Sequence, residues 1–117
     1  MTTAADHIRT LLESSLGAPW KVQFGAWRDA GNASRYAVLR PSGGVAARLV
    51  REPQFTVTLM GAEGDGPTVV YEAAVALVER MRYDSAGLVY LEASEPSSSL
   101  SGDGRHLSEF AVSAIVN

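Results

Sequence analysis

The sequence predicts a small α+β domain: a mainly antiparallel sheet with two helices packed on one face. Three observations support this. Two stretches place apolar residues at three- and four-residue spacing, the mark of an amphipathic helix, and the runs between and after them alternate with period two, the mark of a half-buried strand. Two helices are too few to cover both faces of the sheet those runs would build, so they are expected on one side. The 117 residues, 46% hydrophobic and 20% charged, suit a single domain over 1–117 with one core.

The first helix is predicted over 3–16, with Ile8, Leu11, Leu12 and Leu16 on one face. Thr3, three places before Asp6, offers a capping-box start, and Gly17 before Pro19 offers a stop. Trp20, Val22 and Phe24 then alternate with Lys21, Gln23 and Gly25 as a strand. A turn is expected from Trp27 to Ser34, and a second strand over Arg35–Arg40, stopped by Pro41 and forming a hairpin with the first. Trp20 is expected in the core and Trp27 at the surface.

Pro41-Ser-Gly-Gly44 reads as a flexible turn, and Val45 to Glu52 as extended chain in a long arm. Phe55, Val57 and Leu59 give the clearest alternation in the sequence. After the turn at Gly61–Gly66, Pro67 suits the first position of a second helix that ends near Tyr83. Its apolar stripe is Val70, Ala74, Leu77 and Met81, with Glu72 and Glu79 opposite. Leu88–Ser94 reads as a strand with Val89, Leu91 and Ala93 on one side. Pro96–Arg105 reads as a mobile Ser/Gly-rich loop with a hairpin tip at Gly102–Gly104. The last strand is Leu107–Val116, with Phe110, Val112, Ala114 and Val116 toward the core. The predicted order is α-β-β-β-α-β-β.

Composition narrows the function classes. A net charge of −3 argues against nucleic acid as the main partner, because phosphate binding needs a basic surface. With no cysteine there is no disulfide, thiolate metal site or cysteine nucleophile. The first residues lack the basic start and apolar run of a signal peptide, and no apolar stretch approaches the roughly 20 residues that span a bilayer. Synthesis in the cytoplasm is therefore expected, with no membrane partner.

Tests for chemistry come out empty. Gly61-Ala-Glu-Gly-Asp-Gly66 lies between a strand and a helix, where phosphate loops sit, but Glu63 and Asp65 would repel a polyphosphate and no Lys-Ser/Thr follows. It reads as a connector with solvated charges, and offers too few oxygens to hold calcium. Ser98 or Ser101 with Asp103 and His106 could be drawn as a triad, but all lie in or beside one loop expected to be loose. His7 and His106 lack the spacing of a zinc pair. No catalytic residue, metal or cofactor is predicted, and the protein is not expected to be an enzyme.

Charge is unevenly spread. Trp20–Glu52 holds six basic residues against two acids, and Pro53–Gly104 holds two basic residues against eight acids. Opposed patches favour head-to-tail contact between copies. Arg40, Arg48 and Arg51 flank the glycine-rich arm, and arginine is enriched at interfaces.

The chain resembles the tail terminator proteins of long-tailed, lambda-like bacteriophages. The resemblance rests on the N-terminal helix, Tyr36-Ala-Val-Leu-Arg-Pro-Ser-Gly-Gly44, Arg51-Glu-Pro-Gln-Phe-Thr-Val-Thr58, the second helix, and the closing Gly104-Arg-His-Leu-Ser-Glu-Phe-Ala-Val112. It implies a structural virion protein at the head–tail junction. A hexameric ring of such proteins caps the tail tube, stops its polymerisation and joins the head. The implied partners are further copies of the chain, the tail tube protein and a head-completion or connector protein, with no small-molecule substrate. Arg40, Arg48 and Arg51 are expected as ring or docking contacts. Ser98, Asp103 and Arg105 are expected at an interface too, within a loop, Ser97–Arg105, that orders on binding. Two alternatives stay open: another head–tail connector or tail-completion protein, and a small ligand-binding or hydrolytic α+β domain.

Overall fold

A computed structural model describes residues 3–17, 20–25, 34–46, 51–84, 88, 90–102 and 104–115. The elements are α1 (Ala4–Leu16), β1 (Trp20–Phe24), β2 (Arg35–Ala46), β3 (Arg51–Met60), α2 (Pro67–Tyr83), β4 (Tyr90–Ala93), β5 (Ser97–Leu100) and β6 (His106–Ile115). The α+β class holds, with a six-stranded sheet in place of five strands.

Both helices form where their end signals stand. Thr3 caps α1: its Oγ1 accepts from the Asp6 backbone N–H at 3.2 Å, and the Asp6 carboxylate accepts from the Thr3 N–H at 3.0 Å. Gly17 ends the helix at φ 63°, where a side chain would be strained, and its N–H donates to the Glu13 carbonyl. Thr3→Ala is expected to cost about 1 kcal/mol, as loss of an N-cap hydroxyl does, and to lower the midpoint of urea unfolding without changing its slope. α2 begins at Pro67, and Arg80 and Arg82 in its last turn suit the negative end of the helix dipole.

The sheet runs β1-β2-β3-β6-β4, and β5 also pairs with β6. One face packs on the helices. There Ala37 and Leu39 of β2, Phe55, Val57 and Leu59 of β3, Leu91 of β4, and Phe110, Val112 and Ala114 of β6 meet Ile8, Leu11 and Leu12 of α1 and Val70, Ala74, Leu77, Val78 and Met81 of α2. The predicted stripes are thus the core-facing ones. Val116 and Val89 lie outside the described residues. On the other face Tyr36, Val38 and Met60 form a second, smaller buried cluster with Leu107 against it.

Four expectations change. β1 and β2 are parallel, with Trp20 opposite Arg35 and Phe24 opposite Leu39, so they are not a hairpin. Alternation reports a strand but not its direction. The ten residues from Gly25 to Ser34 can reach roughly 33 Å, well beyond a five-residue strand of about 17 Å. β1 is also the edge of the sheet among the described residues: Trp20 is only partly buried, and Phe24 is 47% exposed.

Pro41 does not stop β2, and Pro41–Gly44 is no turn. The strand continues to Ala46 through an irregularity between Pro41 and Gly43 that leaves Ser42 unmatched. Gly43, at φ 106°, takes a backbone conformation closed to most residues. A proline is tolerated because β1 pairs only as far as Leu39, so among the described residues no strand lies on the outer edge of β2 at Pro41. The predicted extended arm is therefore the far end of a β2–β3 hairpin. Residues 47–50 lie outside the described residues.

Finally, Ser97–Leu100 is not a loop but strand β5, paired with Glu109–His106. β4 pairs with the next part of the same edge of β6, opposite Ile115–Val112. Ser94–Pro96 bridges the two as a kink, where the Ser94 N–H donates to the Ala111 carbonyl and the Ala111 N–H to Ser94 Oγ. The hairpin tip predicted around Gly102–Gly104 is present, closed by the Ser101 N–H donating to the Arg105 carbonyl at 2.8 Å.

Candidate docking surface

Alternation along β2, β3 and β6 leaves a polar row on the face away from the helices. Thr58 stands opposite Val38 on one side and Glu109 on the other. Its hydroxyl donates to Glu109 Oε2 at 2.8 Å, Arg40 Nη2 lies 3.5 Å from the same hydroxyl, and Arg40 and Glu109 pair at 3.6 Å. Arg40 is thus half exposed but already balanced by charge within its own subunit.

The other candidate residues are dispersed. Arg51 pairs with Ala46 at the outer end of β3. Ser98 is exposed on β5, across β6 from β3. Arg48 and Asp103 lie outside the described residues. Arg105, expected at the surface of a loop, is only 4% exposed and lies buried within the subunit. The hairpin tip turns its chain inward as β6 begins, and its backbone N–H donates to Ser101 Oγ at 3.0 Å.

An ion pair that the sequence does not suggest anchors the loop before α2. Arg35 donates from Nε to Asp65 Oδ2 at 2.8 Å and from Nη2 to Oδ1 at 3.2 Å, and its guanidinium lies 5.9 Å from the centre of the Trp20 ring. Oδ2 also accepts the Ala62 N–H at 2.8 Å. The Arg35 hydrogen bonds hold the Asp65 carboxyl below its ordinary range, outweighing burial, which acts the other way, and the Ala62 N–H adds to the lowering. Asp65 is therefore no solvated connector charge. The two residues are 30 apart in sequence, so no local pattern could have paired them.

A groove of about 400 Å³ between the helices is lined by Ser14, Ser15, Leu16, Trp20, Leu77 and Arg80, among others. Arg80 already donates to Ser15 Oγ at 2.6 Å and contacts Asp84 at 3.4 Å, tying α1 to the end of α2. The described residues hold no group of three or more His, Asp or Glu placed to share a metal ion. No helix among them is long and apolar enough to cross a membrane.

A family model for phage tail termination proteins matches residues 1–117. The chain belongs to the phage tail terminator family. No curated protein matches it closely enough to add to that assignment. In this tail terminator Arg35–Asp65 ties β2 to the loop before α2 and Arg80 ties α1 to the end of α2, while Arg40 and Glu109 stay half exposed on the sheet face away from the helices.

Proposed function

We propose that the chain is a structural, non-enzymatic tail terminator. It caps the tail tube as a ring, with six copies as the expected number, stops tube polymerisation and presents the surface joined by the head. The observation that supports this most is the family match over all 117 residues. The long β2–β3 hairpin suits it, because a subunit that must grip neighbours needs surface beyond its own core. Arg40, Arg48 and Arg51 are the proposed docking contacts, together with Ser98 and Asp103; of the last two, Ser98 stands on β5, on the opposite side of β6 from β3. The partners are further copies of the chain, the tube protein and a head-completion protein, which places it in the virion at the head–tail junction.

The test is electron microscopy of particles assembled without the chain. Over-long, headless tubes are expected, and tails of normal length joined to heads would refute the reading. Arg40→Glu/Arg48→Glu/Arg51→Glu is expected to leave circular dichroism near that of the wild type while abolishing head joining in a complementation assay. The fold should survive because Arg40's pair is exposed and such pairs are worth about 1 kcal/mol or less.

A further inference from the structure

The strands at the two sides of the sheet, β1 and β5, stand level with each other across its whole width. Lys21 lies beside Tyr36, Met60, Leu107 and Ser99 in turn, and Val22 beside Ala37, Leu59, Ser108 and Ser98. Gln23 lies beside Val38, Thr58, Glu109 and Ser97 in the same way. β1 runs with β2, and each later step, to β3, β6 and β5, reverses direction, so β5 runs opposite to β1.

The outward backbone groups match too. The Gly25 N–H donates to the Leu39 carbonyl, so Gly25, Gln23 and Lys21 turn their backbone toward β2, and Val22 turns its own outward. On β5 the Ser101 N–H donates to the Arg105 carbonyl, so Ser99 and Ser97 face β6, and Ser98 and Leu100 turn outward. Neither outer edge has a strand partner among the described residues. All four residues of β5 are exposed, Leu100 at 61%, and none is charged. Domains that work alone guard such an edge with charge, proline or a bulge. The charges nearby also complement each other. Lys21 of β1 is exposed and in no ion pair among the described residues, and the same holds for Glu92 and Glu95 on the β4–β5 side. Either edge set against its own copy brings like charges together, whereas β1 against β4–β5 brings opposite ones.

We infer that β1 of one copy adds antiparallel to β5 of a second copy, with Val22 opposite Ser98 and Lys21 opposite Ser99, so that one sheet continues from subunit to subunit. Rotation about an axis along the strands preserves their direction and level, which is the match that β1 and β5 offer. Val22 and Ser98 then exchange two N–H to carbonyl bonds, and exposed Leu100 comes opposite the half-buried Trp20. Donor and acceptor edges differ, so the contact is head-to-tail and repeats around a closed ring. This rests on the ring reading above and names the contact that builds it.

Two variants test it. Ser98→Pro removes an N–H that points out of the sheet and leaves the ladder with β6 intact. Urea unfolding should stay near that of wild type, while self-association in sedimentation velocity weakens at least about tenfold. Lys21→Cys/Ser99→Cys gives a second readout in a chain with no cysteine of its own. Within one subunit the two positions are four strand spacings apart, about 19 Å, too far for a disulfide. Across the contact their Cα atoms come to about 4.5 Å, within disulfide reach. Oxidation should therefore give a covalent ladder that ends at the ring, and either single variant should stay monomeric on a non-reducing gel. If wild type forms rings, alone or on tail tubes, but the double-cysteine variant gives no ladder and Ser98→Pro assembles equally well, the β1–β5 contact is refuted and the ring reading stands. Dimers from Ser99→Cys alone would also refute it, since two copies of β5 would then meet about a two-fold axis. If wild type stays monomeric at every concentration and also when mixed with tail tubes, the ring reading fails and this contact with it.

Discussion

Leu59→Ala is expected to cost about 3–5 kcal/mol, a large share of the roughly 5–15 kcal/mol that holds a domain of this size. Leu59 is fully buried on the central strand β3, in the core between sheet and helices. Its neighbours across the sheet are small: Ala37 on β2 and Ser108 on β6. Ser108 is itself fully buried, its hydroxyl donating to the Ser97 carbonyl at 2.9 Å, so it is committed to holding β5. Neither neighbour can extend into the space a missing isobutyl group leaves, and the cavity term is retained. The measurement is urea unfolding, where the midpoint should fall sharply with the slope unchanged. A loss under 1 kcal/mol would mean that the helices collapse onto the gap.

Asp65→Ala is expected to cost about 1–3 kcal/mol, because it removes a bidentate partner from Arg35 and the acceptor of the Ala62 N–H together. The lower part of the range allows for solvent at the pair, whose side chains are 31% and 16% exposed. The effect has a pH signature. The folded-state pKa of Asp65 lies below its ordinary value of 3.8. The unfolded chain therefore takes up this proton first, and the pair's contribution is complete above that value and lost as pH falls through the folded one. Asp65→Asn should accordingly be less stable than wild type at pH 7, with the gap closing below about pH 4. A gap that is independent of pH would show that the Asn change acts through shape and not through charge.

These two positions also show how far sequence reading reaches. Leu59 is legible because Phe55, Val57 and Leu59 alternate, and alternation is a local consequence of strand geometry. Its small cross-strand neighbours are not legible, since register depends on which strands pair. Arg35 and Asp65 sit in segments that each have an adequate local reading, strand and turn, and only their apposition shows the link. The docking candidates divide the same way. Arg40 and Arg51 stand on the β2–β3 hairpin as the arginine-flanked arm suggests. Arg105 looks like any surface arginine in a Ser/Gly-rich stretch, yet the tip of the β5–β6 hairpin carries it inside. Pro41 stops a strand in an isolated reading, and the topology relieves it because no described residue pairs with that edge of β2.

The sequence by itself determined the α+β class, the extent of both helices, the core faces of β3 and β6, and the resemblance to tail terminators that the full-length family match bears out. Each of these follows from spacing along the chain, where side-chain period and end signals act within a few residues. Only the tertiary structure decided the parallel pairing of β1 with β2, the serine strand β5, the Arg35–Asp65 pair and the continuation of β2 past Pro41 against β3. Those depend on hydrogen bonds and charges that meet across long stretches of sequence, and their partners are chosen by packing and not by local propensity.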